Sequence, residues 1–200
     1  MAKPALQRSN NRNAALLDKA AELFATQGFR ETTMRDIAAP VGMLPGSIYY
    51  HYPSKDALLL AVYEAGVDRI VEQVKAAIAG EHDPVERFRI AMATHIGAIT
   101  RDDHYTRVIN RVLPEQVPKR SQALTQIRDR YEQLFREVID ALPLDPSVDK
   151  GLLRLMILGA VNYAQFWFNP KGGLAAEQIG HEFARYLLDS IAGKGGPGYS

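Results

Sequence analysis

TMRDIAAPVGMLPGSIYYHYPSKD, residues 33–56, is the stretch whose reading decides the fold. Thr33 followed by Asp36 has the reciprocal capping pattern that satisfies the first open amides of a helix, and Ile37 with Ala38 supplies an inward face. A helix therefore begins near Met34. Pro40 lacks an N–H and its ring crowds the carbonyl of Asp36, so this helix ends at Ala39 or bends there. Gly42 stands where two short helices need a sharp reversal. Pro45 fits the first position of a second short helix, about Pro45 to His51, which is then available to lie in a groove. Leu44 precedes it and has no side-chain oxygen to cap it, which costs on the order of 1 kcal/mol.

The chemistry of that second helix is unusual for a core element. Ser47, Tyr49, Tyr50, His51 and Tyr52 surround a single aliphatic anchor, Ile48. Hydroxyl, phenol and imidazole groups suit phosphate oxygens and base edges, and Gly46 permits close backbone approach. Leu44 can offer an apolar contact to a thymine methyl. Lys55 follows Pro53-Ser54 in the first turn of the next helix, where its charge and the open amides face the same way. Part of the aromatic cluster serves packing: Tyr49 and Tyr52, three apart, can turn inward, while Tyr50 and His51 point elsewhere. No Ser or Cys nucleophile with an orienting carboxylate stands near His51 in sequence, so catalysis there is disfavoured.

Residues 16–64, LLDKAAELFATQGFRETTMRDIAAPVG and then GSIYYHYPSKDALLLAVYE, resemble the DNA-binding domain of the TetR family of bacterial transcriptional regulators. The resemblance implies that Thr33 and Arg35 meet the DNA backbone. By the same resemblance Leu44, Pro45, Gly46 and Ser47 approach bases or sugars, and Tyr49, His51 and Lys55 grip phosphates, with Tyr50 beside them. Leu44 and Pro40 depart from the family pattern, which leaves the angle between the two helices open. The implied organisation is a flexible basic arm over 1–12 and a helix-turn-helix domain over 13–56. A ligand-binding and dimerisation domain over 57–192 and a disordered tail over 193–200 follow.

Composition agrees with a water-soluble globular chain. Its 200 residues are 46% hydrophobic, enough for a sizeable core, and the formal net charge is +1. Residues 1–56 carry seven Lys or Arg against five Asp or Glu, and the remainder seventeen against eighteen. This small asymmetry favours the DNA-facing end, and a dimer would double it. The absence of cysteine excludes disulfides and thiolate sites. Neither a signal-peptide pattern nor an apolar run of membrane length is present, so the expectation is cytoplasmic with no membrane partner.

Read in order, the chain is all-α with about nine helices. Leu16, Ala20, Leu23, Phe24 and Gln27 trace one stripe from Asn13 to Gln27, with Phe24, Phe29 and Ile37 as the core of the small head. Arms such as this are usually just solvated; the alternative is that Arg8 or Arg12 reaches a flanking minor groove or phosphate. A long helix runs from Ser54 to Ala79, where Gly66 marks a close packing point or a bend. Asp83-Pro84-x-Glu86 opens another to Thr100, and a short one spans His104 to Val112. An amphipathic helix follows from Ser121 to Ala141. Asp145-Pro146 or Ser147 introduces a helix from Val148 to Phe168, and the last runs from Leu174 to Ile191.

The segment LLRLMILGAVNYAQFWF, residues 152–168, is apolar almost all round and must be covered on more than one side. With Ile179, Phe183 and Leu187 at spacings of four, it forms a candidate dimer interface through Leu155 and Gly159. A twofold dimer also explains how two recognition helices read half-sites of a palindromic operator on double-stranded DNA. The alternative is that these helices cap one monomer's core.

Arg154, Asn162 and Gln165 interrupt that greasy helix, and His95 interrupts an apolar face. Buried polar groups need partners, and a small-molecule effector is one kind of partner; a satisfied core hydrogen bond is another. The candidate ligand site comprises Met92, His95, Ile96, Ile99, Ile109, Tyr131, Asn162, Gln165 and Phe166. The turn WFNPKGGLAAEQIG resembles that of TetR-type regulators of fatty-acid and steroid catabolism, whose effectors include acyl-CoA thioesters. Arg107, Arg111, Arg120 and Arg154 are available cations for such phosphates. His82, His95 and His104 with Asp83, Asp102 and Asp103 match no metal-ligand spacing, and no cofactor or metal is expected. The reading is a ligand-responsive, dimeric repressor and no enzyme. Its rivals are a helical protein-interaction module and a small all-α enzyme using His95 or His104.

Overall fold

In the computed structural model, which describes residues 3–111 and 121–192, ten α-helices and one 3-10 turn follow one another with no strand among the described residues. They are α1 (Lys3–Thr26), α2 (Met34–Ala38), α3 (Pro45–His51), α4 (Lys55–Ile78) and α5 (Pro84–Ile99), then α6 (His104–Arg111), α7 (Ser121–Asp140), α8 (Lys150–Asn162), α9 (Ala164–Trp167) and α10 (Ala176–Ala192). The one-turn α9 continues α8 after a break at Tyr163, so the expected helix over 148–168 is two pieces. Counted together they give the nine expected.

Two helix starts differ from the expectation. α1 begins at Lys3, inside the segment 1–12 expected as an arm. Pro4 suits a first turn, and Ala5, Leu6, Gln7 and Arg8 are good helix formers with no breaker before Asn13. Helix α8 starts from Asp149, whose carboxylate accepts from the amides of Gly151 and Leu152 at 2.9 and 3.0 Å, and not from Asp145 or Ser147. Asp145 instead accepts from the Ser147 amide in the preceding turn. Residues 193–200, expected as a tail, lie outside the described residues, as does Arg120.

The chain divides into two compact units, residues 1–68 with 102–128 and residues 69–101 with 129–200, so the division falls inside α4 and α7. In the first unit, Leu16, Ala20, Phe24, Ile37, Ile48, Leu58 and Val62 are buried together with Tyr105 and Val108 of α6. Burying each large aliphatic side chain contributes about 2 kcal/mol. Phe29 is half-buried, edge-on to Phe24 at 5.4 Å between ring centroids. Tyr105 donates to Asp18 at 2.9 Å, and the Arg111 guanidinium donates to the Ala25 carbonyl at 2.9 Å, closing the last turn of α1. A Cβ on Gly66 would stand 2.8 Å from Ile109 Cδ1, so this glycine marks close packing of α4 on α6 within an unbroken helix.

In the second unit α5 lies against α10. A Cβ on Gly180 would clash with Ala93 Cα and stand 2.7 Å from the Met92 carbonyl, so only hydrogen fits there. Phe88, Met92, Ile96, Phe135, Ile139 and Ile157 are fully buried. Long cations again close helix ends: Arg87 donates to the carbonyls of Ile78 (3.0 Å) and Glu81 (2.8 Å), and Lys150 to those of Asp140 (2.6 Å) and Leu142 (2.9 Å).

Candidate nucleic-acid interface and effector core

The helix-turn-helix is built by local rules. The Thr33 hydroxyl accepts from the Asp36 amide at 3.2 Å, while the Asp36 carboxylate accepts from the Thr33 amide at 2.9 Å and hydroxyl at 2.7 Å. Those bonds hold the Asp36 carboxyl below its ordinary pKa. Pro40 acts as expected: α2 stops at Ala38, a 3-10 turn spans Ala39–Val41, and Gly42 takes φ +64° to reverse the chain. Helix α3 then starts with Pro45 in its first turn, and Leu44 at its N-cap makes no side-chain cap hydrogen bond.

Burial separates scaffold from surface. Met34, Ile37, Ala38 and Ile48 point into the core. Thr33, Arg35, Leu44, Gly46, Ser47, Tyr49, Tyr50 and His51 are exposed and Pro45 is half-buried, so Ile48 is the one buried residue of α3 and the exposed rest is rich in hydroxyls and aromatics. Leu44 is 75% and Tyr50 87% exposed, unusual for large apolar side chains. Tyr50 packs edge-on against His51 at 5.3 Å. Tyr52 turns the other way, donating to Asn13 Oδ1 at 2.8 Å, which makes it the structural ring of the cluster.

Lys55 does not extend from that face. Its ammonium donates to the carbonyls of Phe29 (2.6 Å), Arg30 (3.0 Å) and Thr32 (2.8 Å), and it stands 4.6 Å from the centroid of the Phe29 ring. Its three N–H donors are all engaged. These carbonyls lie over twenty positions earlier in the chain, so local spacing carried no signal of them.

The second unit holds a buried polar knot. His95 is wholly buried, its Nε2 lies 2.9 Å from Asn162 Oδ1, and the Tyr131 hydroxyl lies 3.0 Å from its Nδ1. Burial pushes the His95 pKa down to about 4, so the imidazole is neutral, with the Asn162 bond opposing the shift. The Tyr131 hydroxyl lies equally close, 3.0 Å, to His95 Nε2 and donates to Asn162 Oδ1 at 3.1 Å, so the three polar groups bond one another. Phe135 packs on both rings, at 5.1 Å from His95 and 5.0 Å from Tyr131. Gln165 joins by donating to the Asn162 carbonyl at 3.0 Å, but its Oε1 is buried with no hydrogen-bond partner. Arg154 Nε is likewise buried without one, 4.0 Å from Glu132.

Of the other expected ligand-lining residues, Met92, Ile96 and Ile99 are buried on α5 with His95. Ile109 belongs to the first unit, against Gly66. Phe166 does not join the His95 knot: it is 65% exposed and pairs with Tyr163 at 5.0 Å. Among the arginines weighed for phosphates, Arg107 is bidentate to Asp102 at 2.6 and 2.8 Å and Arg111 closes α1, which leaves Arg154 as the one with an unmatched buried N–H among the described residues. Leu152, Leu155, Met156, Tyr163 and Trp167 are exposed along α8 and α9, and Gly159 lies open between them. Ile179, Phe183 and Leu187 of α10 are half-buried.

Comparison with known proteins follows the same division. Residues 16–62 match the family described as bacterial regulatory proteins, tetR family, and residues 81–191 match the tetracyclin repressor-like C-terminal domain. The HTH-type transcriptional repressor KstR2 of Mycobacterium tuberculosis (strain ATCC 25618 / H37Rv) is 28% identical over 193 residues, covering 93% of this chain and 96% of the relative. The HTH-type transcriptional activator FasR of Mycolicibacterium smegmatis (strain ATCC 700084 / mc(2)155) is 27% identical over 164 residues, covering 80% and 74%. The crystal structure of AibR in complex with isovaleryl coenzyme A and operator DNA is similar with a TM-score of 0.70 at 28% identity, covering 88% of this chain and 97% of that one.

Proposed function

The chain belongs to the TetR family of bacterial transcriptional regulators, and from that premise we propose that it is a dimeric, cytoplasmic repressor released from a palindromic operator by a small apolar or acyl-CoA-type effector. The observation that carries the DNA reading is the face of α2 and α3. Its apolar residues are spent on the core, while Thr33, Arg35, Ser47, Tyr49, Tyr50 and His51 stand exposed beside the open backbone of Gly46. Thr33, Arg35, Tyr49 and His51 hold the phosphate backbone, and Leu44, Pro45, Gly46, Ser47 and Tyr50 meet base edges and sugars.

Dimerisation is supported by the apolar surface of α8 and α9, which a single chain leaves to solvent. Two copies joined there supply two recognition helices for half-sites about one DNA turn apart or more. The effector reading rests on buried polar groups of the second unit: Gln165 Oε1 in the polar knot, and separately Arg154 Nε, have no hydrogen-bond partner, which supports an outside one. A relative solved with isovaleryl coenzyme A gives the acyl-CoA class its support. Release requires the effector to prefer the conformation in which α4 holds the recognition helices out of register; tight binding to both conformations would shift nothing.

Selection of bound sequences from random duplex DNA, repeated at two salt concentrations, tests the reading. Recovery of a palindrome with salt-dependent affinity is the expected result. A folded, purified protein that enriches no sequence would move the role to protein docking.

A further inference from the structure

The helix-turn-helix runs from Thr33 to Tyr52, and its two chain ends emerge beside each other at Thr32 and Lys55. We infer that Lys55 is the clasp that pins these ends together, a positioning residue for DNA recognition and not a phosphate ligand. The inference rests on the DNA-reading role proposed above and assigns one of its residues a different task.

The ammonium has three N–H donors, and the carbonyls of Phe29, Arg30 and Thr32 take all three at 2.6 to 3.0 Å. To bind a phosphate, the lysine would have to abandon these oxygens and exchange three short bonds for one new ionic contact. The receiving turn is itself rigid. Thr32 is wholly buried, and its hydroxyl lies 2.7 Å from the Gly28 carbonyl and 3.3 Å from that of Leu23, the last turn of α1. The Lys55 ammonium stands over the Phe29 ring, which packs on Phe24 in the core. Thr33, the N-cap of α2, follows the clasped carbonyl directly, and Lys55 opens α4 four residues after α3 ends. The clasp thus fixes where α2 begins relative to where α3 ends, and through them how Arg35 and Tyr49 are spaced along a strand.

The test compares wild type with Lys55→Met and Lys55→Arg in the full-length protein, using the duplex recovered by selection and a random duplex of equal length. Lys55→Met keeps an unbranched side chain of similar length and loses the bonds. A positioning role predicts at least tenfold weaker operator binding, unchanged random-duplex binding, and an unchanged slope of log affinity against log salt. Arginine, with a planar fork in place of three converging donors, should not restore the loss. A phosphate ligand predicts instead a slope shallower by about 0.9 per lost contact, on both duplexes, and that result overturns the inference. Unchanged operator affinity well below the melting temperature overturns it too, since the bonds would then serve stability alone.

If Lys55→Met does not fold, the wild type decides. Hydrogen-bond couplings from Lys55 Nζ to the carbonyl carbons of Phe29, Arg30 and Thr32 should be present in the free protein and persist on the operator. Their absence from the free protein overturns the clasp, and their disappearance on DNA restores the phosphate contact. Enrichment of no duplex at all is a failure of the DNA reading itself and takes this role of Lys55 with it, whatever the couplings.

Discussion

Leu44→Ser separates what the recognition helix needs to fold from what it needs to bind. Leu44 occupies the N-cap of α3 at φ −76° and ψ 142°, the extended geometry from which a cap side chain reaches the first-turn amides, yet it makes no such bond. A serine hydroxyl there is worth about 1 kcal/mol. The loss is small, because the leucine is 75% exposed; with a fully buried leucine contributing about 2 kcal/mol, its covered quarter contributes roughly 0.5 kcal/mol. The net expectation is a gain of about 0.5 kcal/mol, a rise in melting temperature of roughly 1–2 °C, read by circular dichroism. Operator affinity should move the opposite way. If Leu44 covers a thymine methyl, losing that contact costs about fourfold per half-site, from roughly 0.8 kcal/mol for each buried carbon. Deoxyuridine in place of the contacted thymine should weaken the wild type by the same factor and leave Leu44→Ser indifferent. A destabilised variant would refute the capping argument. A stabilised variant that binds as tightly as wild type would refute the recognition role.

His95 should make stability fall in acid. Its folded pKa of about 4 lies below the unfolded 6.5, so its contribution is complete above pH 6.5 and is lost as pH falls towards 4. By pH 5 this amounts to about 2 kcal/mol, and urea unfolding of His95→Gln should lack that part of the slope. Gly180→Ala forces a methyl against the Met92 carbonyl and the Ala93 backbone; a loss of about 1–3 kcal/mol by thermal unfolding is expected, and a neutral result would mean that α10 can slide along α5. Met156→Glu places a charge in the exposed apolar surface of α8, where Met156 is 63% exposed. Light scattering should then report a monomer with the helical content of the wild type; a dimer that persists would locate the interface elsewhere.

Elements governed by neighbours in sequence were legible from the residues themselves. The Thr33–Asp36 box, the stop before Pro40, the start at Pro45, the missing cap at Leu44 and the single anchor Ile48 depend on residues within four positions of each other. Burial of Met92, His95, Ile96 and Ile99 on α5 followed from helical periodicity. What escaped depended on distant partners or on weak competition. The carbonyls that Lys55 donates to, on the turn after α1, were not visible when it read as a cation at a helix head suited to phosphate. The exposure of Phe166 and the helix break at Tyr163 before it had no proline or glycine to announce them. The polar start of α1 lacked an apolar stripe, so propensity alone had to carry it.

The cations that close helix ends have a consequence for how the molecule opens. An isolated helix frays from its C-terminus, where the last carbonyls have no partner within the helix. Here the last turn of α1 is held by Arg111 of α6, that of α4 by Arg87 of α5, and that of α7 by Lys150 of α8. Each terminal turn is stitched to the helix that must leave before it can unwind. Amide exchange in these turns should therefore follow the opening of a whole unit, with protection running to the final residues of α1, α4 and α7 instead of tapering towards them.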